Sequence, residues 1–247
     1  MTNLNRLDVI RLFTFSTLLI LPATSKAQQR PPIVEQLAKT YGLDSYGQIE
    51  AVRYTFNLEL PSANLNLSRT WTWEPKTGQV SYETKDKDGK PVKVNYVRSQ
   101  LNSAPANVKD EIEPAFVNDN YWFIFPFHVY WDTSAAVTVK EMQKLPLGKG
   151  SAKLVSVKYP MEAGGYTPGD TWDLYLGSDG RVVEFIYHRG GPKKPSNVTT
   201  TWAGYKKAGP LLVSTDHRGT ADGKPARIFF SNVSYRLVGS DKWMDAQ

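Results

Sequence analysis

Three histidines are the side chains here best suited to proton transfer or metal binding near neutral pH. His188 ends a β-pattern with Glu184 four residues earlier on the same face, His217 follows Asp216, and His128 sits within an aromatic run. No two have the i, i+2 or i, i+4 spacing of a metal-ligand pair, and there is no H-E-x-x-H helix motif or G-x-S-x-G nucleophile turn. The stretch "MEAGGYTPGD" is rich in glycine but leads into a strand, so it lacks the helix N-terminus that phosphate binding uses. The chain contains no cysteine, which excludes disulfides and thiolate metal sites. These residues predict no enzyme, no catalytic residue, no cofactor and no metal. An enzyme reading would need His188, His217 and a carboxylate to converge inside one pocket.

The aromatic residues carry a different chemistry, the burial of something apolar. Residues 118–132 read "NDNYWFIFPFHVYWD", which places Trp122, Phe123, Phe125 and Phe127 among seven rings with no basic residue between them. Trp71 and Trp73 stand two apart in a β-pattern, so their indoles share one face. Tyr54 and Phe56 in the preceding strand, Trp172 in a later one and Phe185 or Tyr187 in its hairpin partner extend the set. The candidate ligand-binding residues are therefore Tyr54, Phe56, Trp71, Trp73, Trp122, Phe123, Phe125, Phe127, Trp172 and Phe185. Two other arrangements use the same rings. They could fill a core that serves only as a scaffold, or Trp71, Trp73 and Tyr82 could form an exposed stacking surface for polysaccharide.

The first residues read as a leader. Arg6 and Arg11 precede the apolar run Leu12–Leu21, and Ser25 and Ala27 make a small-x-small exit before Gln28. This pattern predicts a secretory signal peptide over residues 1–27, a single domain over 28–247, and a periplasmic or secreted location. With no cysteine for lipidation, the mature chain is expected to be free of a lipid anchor. Removing residues 1–27 takes away Arg6, Arg11, Lys26 and Asp8, so the formal charge falls from +6 to +4. A charge this mild, with scattered basic residues, predicts no nucleic-acid partner but permits transient contact with an anionic membrane surface.

Placing the rings requires strands. Pro31 and Pro32 open a short helix whose face is Ile33, Val34, Leu37, Ala38 and Tyr41, and Gly42 ends it. Period-two patterns follow over Glu50–Leu60, Arg69–Glu74, Gln79–Thr84 and Val92–Val97, separated by glycine-bearing turns. A helical insertion, Ala106–Phe116, precedes the aromatic run, in which Pro126 is expected to break any helix. Strands then resume over Val137–Leu145, Ala152–Tyr159, Asp170–Leu176, Val182–His188, Val198–Tyr205, Leu211–His217 and Ala226–Val238, with "KKAGP" joining the penultimate pair. The prediction is a mainly β protein with a few helices, built on one curved antiparallel sheet of about eleven strands. A sheet so wide must curl or close.

Two modest helices cannot cover the inner face of such a sheet, so it either closes on its own side chains or keeps a hollow. An acyl chain is one fitting occupant. At ~0.8 kcal/mol per buried CH2, about sixteen carbons represent on the order of 10 kcal/mol to hide from water.

A short helix, the strand "YGQIEAVRYTFNLEL", the hairpin "RTWTWEPKTGQVSYE", a helical segment and the late hairpins "DTWDLYLGSDGRVVEFIY" and "TTTWAGYKKAGPLLVSTDH" follow one another. This succession resembles the outer-membrane lipoprotein-sorting superfamily, the LolA/LolB-like carriers, over most of residues 33–238. The resemblance implies an unclosed half-barrel of eleven antiparallel strands with a helical lid, carrying a lipid, an acyl chain or an acylated protein. It also implies an arginine that latches the lid. Arg53 and Arg69 are the nearest strand arginines, and the resemblance assigns the role to neither.

Overall fold

The computed structural model describes residues 30–86, 88–162, 166–192 and 194–247. The expected leader lies outside the described residues. Helix α1 (Pro32–Thr40) starts on a proline, whose missing N–H is unneeded in a first turn, and Gly42 follows it with φ +104°. A 3-10 turn, Leu43–Gln48, then feeds β1 (Ile49–Leu60).

From there β1, β2 (Leu65–Glu74), β3 (Gln79–Lys85) and β4 (Pro91–Val97) form an antiparallel meander. A second meander runs through β5 (Ala136–Lys144), β6 (Ser151–Lys158), β7 (Thr171–Leu176), β8 (Val182–Arg189) and β9 (Ser196–Thr201). The chain then makes a separate hairpin of β10 (Lys206–Ala208) and β11 (Leu211–Val213). It returns to the large sheet as β12 (Asp216–Ala221), β13 (Lys224–Leu237) and the short β14 (Met244–Asp245).

The strand order is β4-β3-β2-β1-β13-β12-β9-β8-β7-β6-β5, with β14 as a side partner of β13. Eleven strands lie on this path, as the period-two pattern predicts, and β4 and β5 form its two unpaired ends. The sheet is therefore not closed. Its two longest strands, β1 and β13, pair with each other, and there the register shifts between Arg53 and Thr55 and Asn232 takes a positive φ of 52°. Such bulges bend and twist long strands.

The segment between β4 and β5 links the two free edges, so it must cross the open side. It does so as a π-helical turn, Val108–Ile112, followed by helix α2 (Glu113–Trp131). This corrects the expected layout, in which the helix ends at Phe116 and the aromatic run follows it. The run is helical because its rings lie on every side of the axis, and a helix apolar all round is stable when it is buried all round. The break expected at Pro126 is present: two residues before it the backbone departs from helical angles at Ile124 (φ −133°, ψ 32°), so α2 is two helical segments meeting at a kink.

A second difference lies in the last hairpin. The sequence predicts continuous strands to Tyr205 and from Leu211 to His217, but β9 stops at Thr201 and β12 begins at Asp216. The Ser214 and Thr215 hydroxyls donate to the carbonyls of Ala203 and Gly204, both at 2.6 Å. These side-chain bonds, with a single backbone bridge between Ala203 and Asp216, stand where a continued ladder would run, and the β10–β11 hairpin leaves the sheet there.

Candidate functional site

Helix α2 and the sheet face beneath it form the candidate site. Rings of α2 touch side chains from β2, β1, β13, β12, β8 and β7, more than half the sheet's width. One helix can reach so many strands only if the sheet curls around it. The alternation within each strand then decides which residues point inward: Tyr54 and Phe56, Trp71 and Trp73, Trp172, and both Phe185 and Tyr187.

All ten candidate residues are buried in one hydrophobic core cluster. Tyr54 stacks on Phe123 at 4.2 Å between centroids, and Phe125 stacks on Trp172 at 4.3 Å. Trp122 meets Phe185 edge-on at 5.2 Å. Phe56 joins Phe230, and Trp71 and Trp73 both meet Phe116. Phe127 faces the other way, toward Tyr46 and Trp131. The space expected to be hollow is therefore occupied by α2 itself. Burial of Trp71 and Trp73 also overturns the exposed stacking surface, which would need both indoles in solvent.

Two buried carboxylates fasten the first half of α2. Asp119, fully buried, accepts from Arg69 Nε (2.8 Å), Arg69 Nη2 (2.6 Å), Trp71 Nε1 (2.8 Å) and its neighbour Asn118 (3.0 Å). Burial pushes its pKa up to about 6, against the opposing pull of Arg69 and these donors. Glu113 accepts from the Tyr96 hydroxyl at 2.6 Å and from Arg98 Nε at 2.9 Å. At the far end, Arg30 donates to the carbonyls of Val129 and Tyr130 at 2.6 and 2.8 Å. Of the two strand arginines named from sequence, Arg69 holds the helix. Arg53 sits on the outer face, beside Thr72 and over the Trp243 ring.

Beside α2 the surface opens into two neighbouring clefts. The larger, about 730 Å³, runs between Pro114, Val117 and Tyr121 of α2 and Trp172, Tyr187 and Arg189 of the β7–β8 hairpin. Its volume falls within the range of small-molecule sites. The smaller, about 250 Å³, adjoins it at Tyr121 and Tyr166 and is lined by His128, Asp132 and Tyr159. There Asp132 accepts from the Tyr121 and Tyr159 hydroxyls at 2.6 and 2.7 Å and faces His128 at 3.6 Å. Burial opposes ionisation of Asp132, yet His128 and the two hydroxyls hold its pKa below the usual value.

The histidines named from sequence do not converge. His188 is on the outer face, between Asp173 and Asn197 at 3.0 Å each. His217 is fully buried on the inner face against Trp202 and Trp122, and burial drives its pKa down to about 3. The described residues contain no cluster of three or more His, Asp or Glu able to hold a metal ion. No described helix is long and apolar enough to cross a membrane.

Sequence reasoning left out Phe116, Phe230 and Trp202, which complete the aromatic mass, and Asp119, which anchors α2. Phe230 was reachable, since it continues the inward alternation of β13. Asp119 was not, because nothing local marks a carboxylate as a buried partner of a strand fifty residues away.

No protein-family model matches the chain, and no curated protein sequence does. Solved structures similar to it include a DUF1329 family protein from Desulfovibrio piger, at 9% identity and a TM-score of 0.44, over 85% of this chain and 92% of that one. They also include a LolA superfamily protein from Nitrosomonas europaea, at 8% identity and a TM-score of 0.44, over 82% of this chain and 93% of that one. Both likenesses concern the layout of the fold. What α2 and the clefts can do rests on the side chains described above.

Proposed function

We propose that this is a carrier or binding protein for a lipid, acyl chain or other amphipathic ligand, and that α2 is a displaceable plug rather than a permanent core helix. The observation that carries the reading is the way α2 is held. Its rings occupy the inner face of an open sheet, while its charged fastenings, Arg69–Asp119 and Arg98–Glu113, lie along one side. A ligand entering through the cleft between α2 and the β7–β8 hairpin would exchange ring-on-ring contact for ring-on-chain contact. Both bury similar apolar area, so the exchange is nearly balanced in the hydrophobic term. The leader pattern supports delivery to the periplasm or the exterior, where the ligand would be a lipid or an acylated protein taken from a membrane surface.

Binding of a fluorescent fatty acid tests the proposal. The double variant Arg69→Met/Asp119→Leu removes the fastening without stranding a charge. It should bind about 5- to 10-fold more tightly, because a larger fraction of molecules is competent to bind. Failure of both proteins to bind would sink the reading.

The close ring packing favours a second reading, a permanently filled scaffold that works by protein contact. Hydrogen exchange separates the two. A plug should exchange its amides well before β1 and β13, whereas a core helix should exchange with them.

A further inference from the structure

Beneath α2 the sheet carries polar groups that no described residue satisfies. Thr200 Oγ1, Trp202 Nε1, His217 Nε2 and Trp172 Nε1 are all buried and have no hydrogen-bond partner. All four residues are at least nine-tenths buried. Native interiors pair the large majority of such atoms, so these four, with Tyr54 Oη a fifth on the same face, call for an explanation.

Three of them form a single patch. Thr200 lies on the inner side of β9, Trp202 follows two residues later just past the strand's end, and the Trp202 and His217 rings lie 4.2 Å apart. Gly219 pairs with Thr200 across the ladder and adds no side chain to cover it. A Cβ at Gly219 would lie 1.9 Å from the Thr199 carbonyl oxygen, so a larger residue is excluded. Trp122 of α2 lies over the patch, with its ring 6.1 Å from that of His217. Trp172 lies two strands away under Phe125.

The chemistry of the patch is specific. Trp172 and Trp202 offer N–H donors and no acceptor, and Thr200 offers a hydroxyl. His217 Nδ1 lies 3.3 Å from the Thr201 carbonyl, which fixes the proton there and leaves Nε2 as a bare acceptor. Burial keeps this ring neutral.

We infer that the inner face recognises an acyl ester bearing a free hydroxyl, with Trp202 and Thr200 donating to the ester carbonyl and His217 Nε2 accepting from the hydroxyl once Trp122 has moved aside. This rests on the carrier reading and narrows it: a bare hydrocarbon fills the same apolar space but leaves every one of these groups unpaired.

Displacement of the bound fluorescent fatty acid by two probes tests it, monopalmitoylglycerol and octadecane, the second delivered from cyclodextrin. The ester should displace at a concentration at least about 10-fold lower, the worth of one or two net hydrogen bonds. In Thr200→Val/Trp202→Phe this preference should shrink to about 2-fold or less. Thr200→Val alone, which keeps the shape, should leave the urea midpoint of the ligand-free protein unchanged or slightly higher. A clear loss of stability would mean that buried water already satisfies the hydroxyl, and would overturn the inference. So would equal displacement by both probes, or a preference that survives the double variant; in either case the carrier reading stands. If the wild-type protein binds neither the fluorescent acid nor the probes, the carrier reading fails and takes this inference with it.

Discussion

Two regions under the same helix treat their polar groups in opposite ways. Near β2, the fully buried Asp119 has donors on both oxygens, and Glu113 is bonded by Tyr96 and Arg98. Near β9 and β12, Thr200, Trp202 and His217 each keep an atom without a partner. Both regions are buried and lined by rings, so burial does not explain the difference. The two carboxylates are satisfied with α2 in place, as fastenings should be, while Tyr54 Oη and Asn120 Nδ2 near Asp119 have no partner among the described residues. In the second, the ligand proposed above would supply the missing partners.

The largest effect expected from breaking this contrast is at the fastening. Arg69→Ala strands a carboxylate with no exposure and should cost about 3–5 kcal/mol by urea denaturation, whereas Arg69→Met/Asp119→Leu should recover most of that loss. If the single variant costs under about 1 kcal/mol, the fastening is not an energetic one.

Next in size is the pH dependence from His217. Its folded pKa is depressed to about 3 by burial, so below its ordinary value of 6.5 only the unfolded chain takes up the proton. Stability should therefore fall as pH drops from 6.5 toward 3, by up to about 1.4 kcal/mol per pH unit. His217→Phe should flatten that slope relative to wild type, and identical slopes would show that the ring is reached by water.

The same substitution made on the opposite face of the sheet sharpens the contrast further. Thr55 is also buried, but its hydroxyl bonds that of Thr70 at 2.9 Å. Thr55→Val should cost about 1 kcal/mol, and Thr200→Val nothing measurable. Smallest of all should be Lys93→Ala, which removes an exposed ion pair with Glu83 and should shift stability by less than about 1 kcal/mol.

Much of the fold was legible because it is written in local periodicity. The alternation of Val52, Tyr54, Phe56 and Leu58 marks both the strand and its buried side, and glycine-bearing turns separate it from its neighbours. The aromatic run was legible as buried, but not as helical. Its rings favour strands locally, and only enclosure on all sides by the sheet makes a helix the better solution. The break after Thr201 was hidden for a similar reason, since it depends on Ser214 and Thr215 reaching back to carbonyls that are distant in sequence. Among site residues, the ten rings declare themselves by size and spacing, whereas Arg69 looks no different from Arg53 until a helix is laid against one face.

The sequence by itself determined that the chain forms a wide antiparallel sheet with one ring-bearing face, because side-chain alternation and turn residues act over a few positions. Tertiary structure alone decided what covers that face. The link between the two free edges has to cross the opening, and the helix it forms carries rings all round. Which arginine meets which carboxylate, and which polar atoms are left without partners, follow from that crossing, since hydrogen bonds form between groups brought together in space whatever their separation along the chain.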